Sequence, residues 1–69
     1  MERQPVSSSN LSSVGYDADS QTLEIEFDNG SVYQYFDVPQ VTFDGLLTAS
    51  SPGTLFHEQI RGLYRYARL

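Results

Sequence analysis

From Thr22 to Phe27 the chain alternates without a break, with Leu23, Ile25 and Phe27 on one side and Glu24 and Glu26 on the other. Period two over six residues is the mark of a strand with one buried face. Val14 and Tyr16 share a face within Leu11 to Tyr16, and Ser31 to Phe36 is rich in aromatic and β-branched residues, so both read as strands. "DADSQ" separates the first two as a turn, because Asp and Ser side chains bond their own backbone two residues on. "DNG" separates the second and third as a hairpin signal, since Asn and Gly tolerate positive φ. Beyond "VP" the period lengthens. Phe43, Leu46 and Leu47 form one helical stripe, and Phe56, Ile60 and Leu63 form another. Pro39 suits a first helical position, "SSPG" stops that helix, Thr54 suits the N-cap of the next, and Gly62 ends it. Gly45 weakens the first helix by about 1 kcal/mol relative to alanine. "LYRYARL" is left as an extended or loosely helical tail.

These elements predict an α+β domain. A three-stranded antiparallel meander (about 11–16, 22–27, 31–36) precedes two helices (about 39–49, 54–62) packed on one sheet face. Met1 to Asn10, polar, with Pro5 and serines at 7, 8 and 9, reads as a flexible lead-in to a single domain over 11–69. The hairpin admits two registers. If Asn29 and Gly30 alone form the turn, Phe27 pairs with Val32, and Tyr33 and Tyr35 lie on the acidic face with Glu24 and Glu26. If "DNG" is a three-residue loop with Gly30 left-handed, Phe27 pairs with Ser31 and both tyrosines join Leu23 and Ile25. The first is favoured, because burying Gln34 alone costs less than burying two hydroxyls that need partners.

Size and charge narrow the chemistry. A 69-residue chain buries only about 60% of the surface its unfolded form exposes, and without cysteine it has no disulfide or thiolate metal site to compensate. A well-packed core or a homodimer remains. The net charge is −5 with no lysine, which argues against indiscriminate binding to phosphate backbones. Eight of the nine acids nevertheless precede His57, while Arg61, Arg65 and Arg68 follow it. No apolar run approaches the ~18 residues of a membrane span. "MERQPVSSSN" lacks the apolar core of a signal peptide, so a cytoplasmic location is expected.

No catalytic or metal-ligating pattern stands out. Glu24 and Glu26 read as a solvated strand face rather than an acid–base pair. "DADSQ" lacks the glycine of a calcium loop, and His57 has no second histidine or cysteine to complete a zinc site. There is no nucleophile elbow and no phosphate-binding glycine loop. The expectation is a non-enzyme without a cofactor. The remaining signal is aromatic plus arginine: Tyr33 and Tyr35 on the sheet, with Arg61, Tyr64, Arg65, Tyr66 and Arg68 near the end. Such sets hold single-stranded RNA by stacking and phosphate contacts. They also serve as amphipathic packing in small domains, and the acidic charge favours packing.

The ordered run "VSSSNLSSVGYD", "LEIEF", "NG", "YQYFDVP", the Leu-Leu helix and "FHEQIRGLY" resembles the KTSC domain, from about Val6 to Leu69. That family takes its name from the C-terminal domain of some lysyl-tRNA synthetases and includes small free-standing bacterial and phage-type proteins. The resemblance implies a binding module associated with RNA, with the family's central motif on Tyr33 and Tyr35 and its closing Ile-Arg on Ile60 and Arg61. Members tend to carry Ser-Lys-Gly where this chain has Ser51-Pro52-Gly53, a basic residue at the place of Gln34, and a proline at the place of Arg65. The first two differences each remove a phosphate contact, and Arg65 restores one. Two expectations stand: a module binding RNA through Tyr33, Tyr35 and the tail arginines, and a protein-interaction or self-associating domain using an exposed aromatic face.

Overall fold

The β3–β4 hairpin takes the three-residue loop. In the computed structural model, which describes residues 1–69, Phe27 donates to the Ser31 carbonyl at 2.9 Å and Gly30 donates to the Phe27 carbonyl at 2.9 Å. Gly30 sits at φ +89°, and the Asn29 Oδ1 accepts from the Ser31 amide and hydroxyl at 3.0 and 2.6 Å. Strand β3 (Thr22–Phe27) therefore pairs with β4 (Val32–Tyr35) as Leu23 to Tyr35, Glu24 to Gln34 and Ile25 to Tyr33. The favoured register is thus overturned, and Tyr33 and Tyr35 face the core. The polar groups decide it. The other register would bury the Gln34 amide among aliphatic side chains. Here that amide lies on the opposite face and donates to Glu24 at 2.9 Å.

The sheet has five antiparallel strands in chain order rather than three. Strand β2 (Leu11–Asp17) lies between β3 and an added edge strand β1 (Arg3–Pro5), which forms inside the segment expected to be a flexible lead-in. Pro5 fits there because an edge strand can lack an outward donor. Strand β5 (Tyr66–Arg68), the C-terminal tail, pairs with β4 on the other edge. Between β4 and β5 run α1 (Gln40–Thr48) and α2 (Pro52–Gln59), both on one sheet face as expected. Helix α2 starts earlier than Thr54, since Pro52 occupies its first turn with Ser51 as N-cap, where a missing N–H costs nothing. Leu11, Val14, Leu23, Ile25, Tyr35, Val38, Leu46, Phe56 and Ile60 form the core. Leu47 and Leu63, which belong to the helical stripes, are exposed instead; for Leu63 the chain has left α2 and turned at Gly62 (φ +79°).

The outer face is not a solvated strip. Glu24 is 5% exposed, and its two oxygens accept from Arg3 at 2.6 Å and from Gln34 at 2.9 Å. Arg3 also donates to Ser13 at 3.1 Å, and Ser13 donates to Glu26 at 3.0 Å. Gly15, between Arg3 and Glu24 in the register, makes this approach possible: a Cβ there would meet the Glu2 carbonyl at 2.5 Å. Burial works to raise the Glu24 pKa, but the hydrogen bonds from Gln34 and Arg3 and the Arg3 charge outweigh it and hold the carboxyl below its ordinary value.

Two outcomes follow for stability. Arg3→Ala leaves Glu24 buried without its cation and should destabilise the domain by about 1–3 kcal/mol in urea denaturation. On acidification the unfolded chain takes up the Glu24 proton first, at an ordinary value of about 4.3. Stability should therefore be present above that pH and be lost as pH falls through the lower native value. Glu24→Gln should flatten this part of the acid-unfolding curve, and an unchanged curve would remove Glu24 as its source.

Candidate functional site

Register places Tyr33 beside Arg68 and Tyr35 beside Tyr66 across the β4–β5 pair, all on the helix-bearing face. The rings then close a circuit with two phenylalanines. Phe27 meets Tyr33 at 5.6 Å between centroids, Tyr33 meets Tyr66 at 5.8 Å, and Tyr66 meets Tyr35 at 5.8 Å. Tyr35 meets Phe56 at 5.6 Å, and Phe56 returns to Phe27 at 5.4 Å. The edge and tilted orientations are those that aromatic quadrupoles prefer. Against this circuit opens a pocket of about 520 Å³, lined also by Asn10, Ser31, His57, Arg61 and Gly62. No carboxylate lines it.

Exposure grades across the circuit. Tyr35 is 6% exposed, Tyr33 is half-buried, and Tyr66 is 62% exposed. None of the three hydroxyls has a hydrogen-bond partner in the protein, and no buried polar atom is left unsatisfied, so the hydroxyls open towards the pocket and solvent. This explains how two tyrosines enter the core face without the penalty that favoured the other register. Burial pushes the Tyr35 pKa up to about 12, the neighbouring Tyr33 and Tyr66 add to the rise, and the Arg61 charge opposes it. Arg61 reaches the pocket from the turn after α2, with its guanidinium 3.4 Å from His57 Nδ1.

The four arginines divide into two pairs. Arg3 is neutralised by Glu24 on the outer face, and Arg65 by Asp37 at 2.9 Å. Arg61 and Arg68 have no carboxylate partner, and Arg68 lies over the Tyr33 ring at 5.8 Å from its centroid. Of the residues singled out in the sequence, the structure brings together Tyr33, Tyr35, Tyr66, Arg61 and Arg68. It separates Arg65, which lies over Phe36 at 5.5 Å away from the pocket, and Tyr64, which is half-buried against the core. Phe27, Phe56, His57, Asn10 and Ser31 were missed as site residues. Phe27 and Phe56 carried only a core signal, and the others acquire a role from tertiary placement alone. The exposed ring of Tyr66 beside two unpaired guanidiniums suits a planar ring bearing an anionic group, and the guanidiniums repel a cation. No group of three or more His, Cys, Asp or Glu side chains converges into a metal-binding cluster, and no helix is long and apolar enough to cross a membrane.

Fold and site define a small α+β domain with an aromatic pocket where its sheet meets its second helix. The chain belongs to the KTSC domain family, whose pattern it matches over residues 7–66. It superposes on the crystal structure of a KTSC domain protein from Yersinia pestis with a TM-score of 0.92 and 40% identity, covering 99% of this chain and 96% of that one. It is 41% identical over 70 residues to a protein of Stutzerimonas stutzeri, spanning 99% of its length. Over 54 residues it is 46% identical to a lysine–tRNA ligase of Trichormus variabilis, and the chain spans 10% of that enzyme's length.

Tyr35 offers a direct check of the pocket. Because the unfolded chain ionises this tyrosine near the ordinary value of about 10, stability should fall as pH climbs from there towards 12. Tyr35→Phe should keep the fold, abolish the highest-pH phenolate transition in an ultraviolet titration and flatten that fall. If the highest transition survives the substitution, it belongs to another tyrosine.

Proposed function

We propose that this domain is a non-catalytic binding module whose aromatic pocket associates with single-stranded RNA. The observation that carries the reading is the sorting of charge. In a chain with nine acids and four arginines, the two arginines free of carboxylates are the two beside the tyrosine circuit. A base stacks on an open aromatic ring while guanidiniums take the phosphates, and both parts are present here. The net charge of −5 opposes approach at long range. At about 0.1 M salt, however, charges more than ~10 Å apart are largely screened, so the local cations dominate at the pocket. Further support comes from kinship with lysine–tRNA ligases, enzymes named for an RNA substrate. Ser31 and His57 both line the pocket, but the Ser31 hydroxyl is bonded to Asn29 and His57 meets Arg61, so they do not form a nucleophile–base pair, which favours binding over catalysis.

Titrating the isotopically labelled protein with short single-stranded RNA and with tRNA at low salt tests this reading. Amide shifts are expected at Tyr33, Arg61, Tyr66 and Arg68, fading as salt is added. Arg61→Ala and Arg68→Ala should each lower the slope of log affinity against log salt by about 0.7, the contribution of one phosphate contact on a single strand. Silence at low salt sinks the RNA reading. If sedimentation then shows size rising with concentration, function passes to self-association, for which the exposed edge strand β5, with Tyr66 beside Leu69, is the available surface.

A further inference from the structure

We infer that the recognised unit is one nucleotide, and that the pocket takes a free nucleoside monophosphate as a ligand in its own right. This rests on the RNA reading above and makes it specific. Three observations on the pocket support it. First, stacking surface is scarce. Binders of a continuous strand lay successive bases on successive open rings, but only Tyr66 of the three tyrosines is exposed, with Tyr33 half-buried under Arg68 and Tyr35 nearly closed off. One base can stack, and a second finds no open face.

Second, the volume of about 520 Å³ falls in the range of small-molecule sites, roughly 300–1,000 Å³. The space is a half-open concavity between sheet and helix. Aromatic rings line its sheet side, and Asn10 and Ser31 at its border offer amide and hydroxyl groups that can hydrogen-bond a base or sugar edge. Third, the positive charge of the lining lies on one side. Arg61 carries it, 3.4 Å from His57 one helical turn back, and neither has a carboxylate bonded to it. They come from the end of α2 and the turn after it, facing the sheet rings across the pocket. A base against Tyr66 with its phosphate on the Arg61 guanidinium satisfies both halves of the site at once. Base alone or phosphate alone satisfies only one.

The experiment uses the intact chain and four probes: AMP, UMP, adenosine and inorganic phosphate. Binding is followed by amide and aromatic-ring resonances. Saturable one-to-one binding of a monophosphate is expected at Tyr33, His57, Arg61 and Tyr66, with adenosine and phosphate each weaker by about tenfold or more. Arg61→Ala and Tyr66→Ala should each weaken the monophosphate by about tenfold. Both positions are exposed, so the variants should fold, and Arg65→Ala, on the Asp37 pair away from the pocket, should bind normally. Failure of both monophosphates to move these resonances at millimolar concentration overturns the proposal, as does equal binding of phosphate alone. The two readings fail separately. RNA binding that shifts the pocket residues while monophosphates stay silent keeps the RNA reading and removes the one-nucleotide site. Monophosphate binding with no response to RNA keeps the site and removes the RNA reading.

Discussion

The turn Asp28–Asn29–Gly30 carries more of this structure than any other three residues. Gly30 at φ +89° and the Asn29 side chain bonded to Ser31 make the loop three residues long, and loop length sets the register of β3 against β4. Side chains alternate with period two, so one residue of slip would move Tyr33 and Tyr35 to the other face together. Everything built on that face follows: the ring circuit, the place of Tyr66 beside Tyr35, and the pocket between sheet and α2. The same register sends Gln34 to the outer face, where it completes the coordination of Glu24.

Charge is arranged around this frame by burial and pairing. The outer face joins Arg3, Ser13, Glu24, Glu26 and Gln34 in one network, with Gly15 leaving the space for strand β1 to lie close. This network ties the N-terminal residues to the sheet in a domain with no disulfide to do so. It also consumes one arginine, as Asp37 consumes another. What is left over, Arg61 and Arg68, stands on the aromatic side. A domain acidic overall thus presents an anion-compatible concavity.

How much of this was legible beforehand differs by element. The strands at 11–17, 22–27 and 32–35 follow from alternation and turn residues, and the helices from their apolar stripes, because these patterns depend on neighbours a few positions apart. Strand β1 was not legible. Three residues containing a proline carry no periodic signal, and they become a strand by pairing with Ser13–Gly15 of β2, where Arg3 also finds Glu24 twenty-one positions away. The tail's own pattern fits an extended or loosely helical segment equally, because Tyr66–Arg68 is ordered by β4.

The sequence by itself determined the α+β class, the hairpin and the helical pair, carried the resemblance to the KTSC family in its ordered motifs, and supplied the residue types from which a site could be made. Tertiary structure decided the register, the five-stranded extent of the sheet, the burial of Glu24, and which aromatic and cationic residues share a pocket. The physical reason is that local pattern reports whether an apolar face exists, while competing registers bury similar apolar area. They differ in which polar groups find partners. For Gln34, Glu24 and the tyrosine hydroxyls, those partners, or the open pocket that replaces them, exist only once distant segments have met.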